Sequence, residues 1–223
     1  MPGQINRGDF FGEQIFNLSS IKEFKNFVEV GTWNVQGSTK CFMDAIMYRN
    51  DQSKLYTVEA NIEFFKQASS YWQPLISLNR TPYEKMKMLY GRLVETTDLI
   101  AIDEIKNHEI YNKHPWLEWR ERNISEYQMC DNITGELPEE LDVLLLDGGQ
   151  FSTRAEWDRL KDRTKVIMLD DTTTFKTEKI RDQLIADDDW AVIFDNLNYR
   201  NGIFIACRKQ YKNLLESNVG NNL

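Results

Sequence analysis

The sequence predicts an α/β fold in which a mostly parallel β-sheet carries helices on its faces. Short apolar runs of β type recur along the chain and are separated by segments of helical character, an alternation typical of such a sheet. The last two runs, 190–194 and 202–207, are joined by only seven residues, which are too few for a crossover helix. We therefore expect these two strands to pair antiparallel at one side of the sheet.

The elements before that pair follow in order along the chain. The other predicted strands are 27–30, 55–58, 75–78, 142–146 and 165–169. Two stretches show the 3.6-residue period of an amphipathic helix. The first contains Phe64, Phe65, Ala68, Tyr71 and Trp72, and the second contains Met86, Leu89, Tyr90 and Leu93. Thr153 and Glu156 have the spacing of a capping box and predict the start of a further helix.

One region breaks this rhythm between two predicted strands. Residues 98–138 have helical character, contain both histidines, and are too long for a simple connection. We expect them to form a helical insertion that covers the top of the sheet as an acceptor lid. The length of 223 residues fits one domain, 1–223, that includes this insertion.

Composition and charge restrict the classes of partner and compartment. The net charge of −8 opposes binding to DNA or long RNA, because a polyanion needs a basic face. No run approaches the roughly 18 apolar residues of a membrane span, and the N-terminus lacks the apolar centre of a signal peptide. The three widely spaced cysteines are expected to be reduced packing residues. These features predict a cytoplasmic protein without a nucleic-acid partner, and they leave its oligomeric state open.

The first predicted strand ends in an acid and two glycines, in the stretch FVEVGTWNVQGST (27–39). Glycine allows close approach of the backbone to a neighbour, and ligands of open α/β sheets bind at the carboxyl ends of strands. The stretch lacks G-x-G-x-x-G, because Trp33 stands at the middle glycine position, and it also lacks the lysine of a P-loop. A nicotinamide dinucleotide is therefore disfavoured as the ligand, and we expect a different cofactor here.

These residues resemble the motifs of class I S-adenosylmethionine-dependent methyltransferases. The resemblance lies in VEVG (28–31) with TWNVQGST (32–39), in the acid Glu59 of LYTVEAN (55–61), and in the terminal antiparallel pair. It extends over about residues 10–210. It implies a Rossmann-like three-layer sandwich whose seven-stranded, mostly parallel sheet has an antiparallel last strand, with the helical insertion before the fourth strand.

The resemblance also implies a binding site for S-adenosyl-L-methionine. Glu59 is expected to accept hydrogen bonds from both ribose hydroxyls, with Ala60 beside it. Glu29 either supports the sulfonium centre or braces the glycine loop. The loop residues expected at the cofactor are Gly31, Thr32, Trp33, Gly37, Ser38 and Thr39. The positions matched to adenine contacts are Asn79, Arg80 and Thr81.

Three aspartates follow the fourth and fifth predicted strands, in LLLDGGQF (144–151) and IMLDDTTT (167–174). In the family's strand order these strands are neighbours, so Asp147, Asp170 and Asp171 are expected to crowd one small volume. Oxygen-only ligands suit Mg²⁺ or Mn²⁺, and the arrangement resembles that of metal-dependent O-methyltransferases. The expectation is a metal held by these acids, with Asp147 also beside the cofactor. A helix-capping cluster is the alternative interpretation.

Further residues are candidates for proton transfer and for the acceptor site. Asp147 is a candidate catalytic residue, and His108 or His114 of the insertion is a candidate base. Trp116, Trp119, Tyr111 and Tyr127 are expected either to form an aromatic wall for a sugar ring or to pack in the core of the insertion.

The expected function is O-methylation of a small-molecule or glycan hydroxyl. The stretch DGGQFSTRAEW (147–157) bears a fainter resemblance to glycan-methylating modules of bacteria and large algal DNA viruses. This resemblance implies a sugar acceptor, such as a deoxyhexose like rhamnose. The alternatives are a phenolic or catechol acceptor, and a non-catalytic binding module that has kept the fold.

Overall fold

The computed structural model describes residues 5–33, 36–78 and 84–218. Within these ranges, strands and helices alternate along the chain. The strands are β1 (Asn26–Val30), β2 (Lys54–Glu59), β3 (Met86–Tyr90), β4 (Leu141–Leu146), β5 (Thr164–Asp170), β6 (Trp190–Asn196) and β7 (Ile203–Arg208). The α-helices are α1 (Phe10–Ser20), α2 (Ser38–Ile46), α3 (Ile62–Leu78), α4 (Ile102–Asn107), α5 (Trp116–Gln128), α6 (Thr153–Leu160), α7 (Glu178–Ala186) and α8 (Lys212–Asn218).

The strands form one sheet in the order β3-β2-β1-β4-β5-β7-β6. Neighbouring strands from β3 to β5 are parallel, whereas β7 runs antiparallel to both β5 and β6. The chain builds the sheet outward from β1 to β3 and then returns to start β4 on the other side of β1. The strand order therefore reverses between β1 and β4, where open α/β sheets bind their ligands. The predicted seven-stranded Rossmann-like sheet with an antiparallel last strand is confirmed.

Apolar layers cover both faces of the sheet. All residues of β4 are buried, and successive side chains of a strand point to opposite faces. Val143 and Leu145 belong to the cluster that includes side chains of α1 and α2, whereas Leu144 and Leu146 belong to the cluster with α6 and α7. The three cysteines are buried without a disulfide. No described α-helix combines the length and the apolar character that crossing a membrane requires.

The third strand does not lie where the sequence predicts it. Residues 75–78 form the end of α3, so the strand predicted there is wrong. The third strand is β3, 86–90, which pairs with β2 and which we predicted to be helical. Both runs are short, and a short apolar run fits a period of 2 or of 3.6 residues almost equally well. Pairing along β2, for example between Val58 and Leu89, decides in favour of the second run.

The insertion, 98–138, is helical as expected and contains α4 and α5. Its buried side chains form a third apolar cluster, in which Trp116 and Tyr127 pack with Phe151 and Phe175. Phe151 follows β4 and Phe175 follows β5, so the insertion packs on loops at the carboxyl ends of these strands. Its role as an acceptor lid remains a prediction.

Candidate functional site

A cavity of about 430 Å³ opens at the carboxyl ends of the parallel strands. Its lining includes a residue at or just beyond the end of each of the first five strands: Gly31, Glu59, Gly91, Asp147 and Asp170. This volume lies in the range of about 300–1,000 Å³ that is usual for small-molecule sites. The cavity therefore lies where the fold is expected to bind a ligand.

Gly31 brings the ends of β1 and β4 together. Its φ is +100°, and a Cβ at this position would lie 2.5 Å from the carbonyl oxygen of Asp147 and 2.7 Å from Cα of Gly148. The Asp147 N–H donates to the Val30 carbonyl at 3.0 Å. The backbone that approaches this glycine so closely is thus that of the loop after β4, while Gly31 also lines the cavity.

Glu59 lies beside the glycine turn, at the end of β2. The Trp33 N–H donates to Glu59 Oε2 at 2.8 Å, and the Asn61 N–H donates to Oε1 at 2.8 Å. Each carboxylate oxygen has a second lone pair, so both can accept a further hydrogen bond. Burial raises the pKa of Glu59 to about 7. This carboxylate can therefore accept two adjacent hydroxyl groups of a ligand.

Glu29 is fully buried behind the cavity and does not line it. Its Oε2 accepts hydrogen bonds from the hydroxyls of Thr39, at 2.5 Å, and Thr57, at 2.9 Å. Burial raises the pKa of Glu29 to about 7. Of the two roles considered from the sequence, these contacts favour bracing, because they tie β1 to β2 and to the start of α2.

The other positions predicted to meet the cofactor fall into three groups. Two line the cavity: Trp33 and Ala60. Four belong to the turn or to the start of α2 and do not line it: Thr32, Gly37, Ser38 and Thr39. Three lie outside the described residues: Asn79, Arg80 and Thr81. These three follow the strand wrongly predicted at 75–78, whereas Gly91 and Arg92 follow the observed β3 and line the cavity.

The predicted convergence of three acids is confirmed. One carboxylate oxygen each from Asp147, Asp170 and Asp171 can be chosen so that all lie within 4.8 Å of one another. The parallel pairing of β4 with β5 produces this arrangement, since it aligns the ends of the two strands.

Two cations that the sequence analysis did not single out neutralise most of this cluster. The ammonium of Lys176 donates to Asp147 Oδ1 at 2.7 Å and to Asp171 Oδ2 at 3.0 Å. The guanidinium of Arg200 donates to Asp170 Oδ2 at 2.8 Å. Burial opposes the charge of Lys176, but the carboxylates of Asp147, Asp171 and Asp170 outweigh it and raise the pKa of Lys176. In the sequence, Lys176 is seen only as a lysine shortly after LDDTTT (169–174). A lysine near acidic residues is too common a pattern to predict a role for it.

Strained backbone is concentrated at the same cavity. Three non-glycine residues in the described part of the chain have positive φ: Trp33 at 52°, Asp171 at 60° and Arg200 at 56°. All three line the cavity. Such conformations cost about 1–3 kcal/mol each and are found mainly at functional sites. The strain therefore marks this cavity independently of its charges.

A divalent ion would need carboxylate oxygens of the three aspartates as ligands, and several of these oxygens already accept hydrogen bonds from the protein. Three carboxylates are the right donor type for Mg²⁺ or Mn²⁺. However, Asp171 Oδ1 accepts from Asn201 Nδ2 at 2.9 Å, and its Oδ2 accepts from Lys176. An ion that bridged Asp147 and Asp171 would have the ammonium of Lys176 as an immediate like-charged neighbour. The described geometry therefore places an ammonium between Asp147 and Asp171, where an added ion would have to displace it, and leaves Asp170 Oδ1 buried without a donor.

Neither histidine reaches the described cavity lining. His108 Nε2 lies 3.0 Å from Glu178 Oε2. The His114 ring packs against Trp116 and Trp119, at centroid distances of 4.9 and 5.3 Å. These contacts give both histidines packing and pairing roles and do not support either as the base.

The four aromatic residues of the predicted wall divide between the cavity and the core. Trp119 and Tyr127 line the cavity. Trp116 is buried, packs edge-on against Trp119, and donates its indole N–H to the Ile110 carbonyl at 2.9 Å. Tyr111 packs against the third apolar cluster. Packing in the core is thus confirmed for Trp116 and Tyr111, and an aromatic wall of Trp119 and Tyr127 stays a prediction.

Four buried acceptors of cavity-lining residues have no hydrogen-bond donor among the described residues: Gln150 Oε1, Asp170 Oδ1, Glu156 Oε2 and Asn123 Oδ1. Tyr127 donates its hydroxyl to the other oxygen of Glu156 at 2.9 Å, and burial raises the pKa of Glu156 to about 6. The capping box predicted for Glu156 is wrong, because α6 starts after Ser152 without a side-chain cap. Helix periodicity alone gives no sign that this acid points into a cavity.

Comparison with known proteins yields similarity at the level of structure. Neither the protein-family models nor the curated proteins include a match to this sequence. The O-methyltransferase of Bacillus cereus in complex with SAH aligns at a TM-score of 0.56 and 16% identity, covering 89% of this chain and 80% of its own. The O-methyltransferase TomG of Streptomyces achromogenes, in complex with SAM, aligns at 0.54 and 12%, covering 88% and 78%.

A third solved structure shows the same likeness. It is a methyltransferase from Geobacter sulfurreducens, which aligns at a TM-score of 0.52 and 11% identity over 92% of this chain and 79% of its own. At such identities the similarity concerns the arrangement of the backbone. Together with the strand order and the antiparallel β7, it shows that the chain has the fold of the class I S-adenosylmethionine-dependent methyltransferases.

Proposed function

We propose that the chain is an S-adenosylmethionine-dependent O-methyltransferase that acts on a hydroxyl group of a small molecule or glycan. The observation that carries this proposal is the position of Glu59 beside the glycine turn. Backbone N–H groups of Trp33 and Asn61 hold the carboxylate, and its remaining lone pairs can accept hydrogen bonds from two adjacent hydroxyls such as those of a ribose. The fold and the placement of the cavity at the strand-order reversal agree with this assignment.

The charge of the site also suits the cofactor. Three carboxylates are paired with two cations, so the cluster keeps one excess negative charge when all groups are ionised. The sulfonium of S-adenosylmethionine is a cation, and an opposite charge nearby stabilises it in a partly desolvated cavity. After transfer the sulfur is neutral, so this attraction favours the methyl donor over the demethylated product.

The reaction requires the acceptor oxygen in line with the methyl carbon and the sulfur. The oxygen–carbon bond forms while the carbon–sulfur bond breaks, and its electron pair stays on the sulfur as a neutral thioether. The hydroxyl proton must leave, and Asp147, which lines the cavity, is the proposed acceptor for it. Positioning of the two reactants supplies much of the catalysis in such a transfer. We assign no step to a divalent ion, because the ammonium of Lys176 lies between Asp147 and Asp171.

A sugar hydroxyl, such as that of a deoxyhexose like rhamnose, is the proposed acceptor. Trp119 and Arg122 of α5 line the cavity on the side of the insertion, and an aromatic face next to polar groups suits a sugar ring. A phenolic acceptor is the second candidate. The observation that favours it is the aromatic pair of Trp33 and Phe64, which also lines the cavity with rings in edge contact at 6.3 Å.

Calorimetry and product analysis test the proposal together. Titration with S-adenosylhomocysteine should show one binding site per chain, and the Glu59→Ala substitution should weaken this binding. Incubation with S-adenosylmethionine and a panel of rhamnosides, other glycosides and catechols should yield one product in which a methyl group replaces a hydroxyl hydrogen, so its mass rises by one CH₂ group. Methylation of catechols alone would select the second candidate, and binding without transfer would select a non-catalytic module. Absence of cofactor binding would overturn the proposal.

A further inference from the structure

Lys176 is held in a fixed position by the loop that follows β5. The preceding side chain, Phe175, stacks on Phe151 with centroids 5.8 Å apart and packs edge-on against Trp116. The following side chain, Thr177, donates its hydroxyl to the Asp170 carbonyl at 2.8 Å. Contacts on both sides therefore fix the direction in which the lysine side chain leaves the loop.

The ammonium lies between two of the three acids of the cluster. Lys176 is only 2% exposed, and its Nζ bridges Asp147 and Asp171 at 2.7 and 3.0 Å. These are ordinary lengths for charge-assisted hydrogen bonds, whereas Mg²⁺ binds oxygen at about 2.0–2.1 Å. A buried ammonium without its carboxylates would be strongly unfavourable, and the carboxylates without a cation would repel one another. The buried ammonium and the carboxylates therefore stabilise each other.

Two further oxygens of the cluster accept hydrogen bonds from the protein, whereas Asp170 Oδ1 is buried and has no donor among the described residues. Asn201 donates to Asp171 Oδ1 at 2.9 Å, and Arg200 donates to Asp170 Oδ2 at 2.8 Å. Asn201 and Arg200 belong to the connection between β6 and β7. The Thr172 N–H donates to the Gly202 carbonyl, which fastens this connection to the loop after β5. The protein itself thus supplies N–H donors to all three acids.

We infer that Lys176 is the resident cation of the acidic cluster, replaces a divalent metal there, and positions the acceptor hydroxyl for methyl transfer. An ammonium has three N–H groups. Two of them bind the carboxylates, and the third has no acceptor among the described residues, while Lys176 lines the cavity. An acceptor oxygen bound to this third N–H would lie next to Asp147. The inference rests on the proposed function and names the group that holds its substrate.

The wild-type protein provides the first test. Purified protein should contain substoichiometric Mg²⁺ and Mn²⁺ by elemental analysis, and titration with Mn²⁺ followed by electron paramagnetic resonance should show no tight site. Methyl transfer should be unchanged after treatment with a chelator. A stoichiometric ion whose removal abolishes transfer, with recovery on adding Mg²⁺, would overturn the inference.

Replacement of the lysine provides the second test. Lys176→Met leaves Asp147 and Asp171 without the cation between them, so the variant should gain a Mn²⁺ site. Electron paramagnetic resonance and a rise in Tm with added Mn²⁺ would detect this site. Without metal, its kcat/KM should fall by at least about 10²-fold, the usual effect of losing one preorganised donor. Wild-type kcat/KM in the metal-free variant, or a Mn²⁺ affinity equal to that of wild type, would contradict the assignment.

Lys165→Met is the matched control. Lys165 is also paired with a buried acid, Asp142, at 2.7 Å, but it lies at the opposite end of β5 from the cavity. This variant should gain no Mn²⁺ site.

If Lys176→Met fails to fold, Lys176→Arg provides a second variant, which keeps the charge and should still exclude Mn²⁺. The metal measurements on the wild-type protein also test the inference without any variant. Metal content and S-adenosylhomocysteine binding are measured without an acceptor, so failure of the proposed function would appear separately as loss of cofactor binding.

Discussion

Gly31 lies so close to Asp147 that any side chain between them would collide with backbone. A Cβ at position 31 would be 2.5 Å from the Asp147 carbonyl oxygen, and the φ of +100° is one that residues other than glycine adopt with strain. The contact joins the end of β1 to the end of β4, where the strand order reverses. The same contact therefore holds the ends of β1 and β4 together and brings Asp147 to the cavity.

Gly31→Ala should destabilise the protein, because it adds both an unfavourable φ and a clash with a backbone that cannot move away. We expect the free energy of unfolding to fall by at least about 2 kcal/mol, measured by urea denaturation. Gly135→Ala is the matched control, since nothing lies within 4 Å of a Cβ there. Its effect should stay within about 0.5 kcal/mol. Equal effects of both substitutions would show that the close approach at Gly31 is absent.

Glu59→Gln should weaken S-adenosylhomocysteine binding by roughly 10–100-fold, because hydrogen bonds to a charged group contribute about 1.5–3 kcal/mol. The pKa of Glu59 is raised to about 7 by burial, and the ionised form is the one that accepts two hydroxyl donors. Wild-type affinity should therefore decrease as the pH falls below about 7, and the variant should lose this dependence. Calorimetry between pH 5.5 and 8.5 measures both effects.

Glu63→Gln is the control for that experiment, since Glu63 lies nearby at the start of α3 with an exposed side chain. It should bind the cofactor product as wild type does at every pH. A pH dependence that survives in Glu59→Gln would assign the titration to another group and would remove Glu59 from the ribose site.

The acids at the strand ends were predictable from the sequence because topology places them. Glu59 ends β2, and Asp147 and Asp170 lie at the ends of β4 and β5. Parallel strands present their carboxyl ends at one edge of the sheet, so knowing the strand order was enough to expect convergence. No side-chain detail was needed for this part of the site.

The partners of these acids were not predictable in the same way. Lys176 reaches the cluster because the loop after β5 folds back on itself, with Phe175 anchored in the insertion. The path of this loop depends on contacts between segments that are far apart in the chain. The local sequence pattern does not predict such contacts. The strand β3 was missed for a similar reason, because pairing with β2 selects the strand among short apolar runs.

Glu29 should make the stability of the protein depend on pH. Burial raises the pKa of Glu29 from 4.5 to about 7, so the folded state retains a proton that the unfolded state loses. The resulting stabilisation is fully present below pH 4.5 and is lost as the pH rises through about 7; its total is on the order of 3 kcal/mol. In Glu29→Gln the loss of stability between pH 5 and pH 8 should be smaller by up to this amount.

Urea denaturation at the two pH values measures this difference. Glu23→Gln, at an exposed position shortly before β1, serves as the control and should follow wild type. If wild type and Glu29→Gln lose stability in parallel, the proton of Glu29 plays no part in folding.

Glu156→Gln should change which purine the cavity accepts. Glu156 Oε2 and Asn123 Oδ1 are buried acceptors without a donor in the described part of the chain, and they suit the exocyclic amino group of adenine. In the variant, the side-chain carbonyl would keep the hydrogen bond from Tyr127, and the new NH₂ group would take the place of Oε2 and act as a donor. The wild type should therefore bind S-adenosylhomocysteine at least about 10-fold more tightly than S-inosylhomocysteine, whose purine carries a carbonyl, because an unpaired buried acceptor costs about 1–3 kcal/mol. The variant should lose or reverse this preference, measured by calorimetry with both ligands. If the ratio of the two affinities is unchanged, Glu156 does not face the purine, and its free oxygen must serve the acceptor side of the cavity.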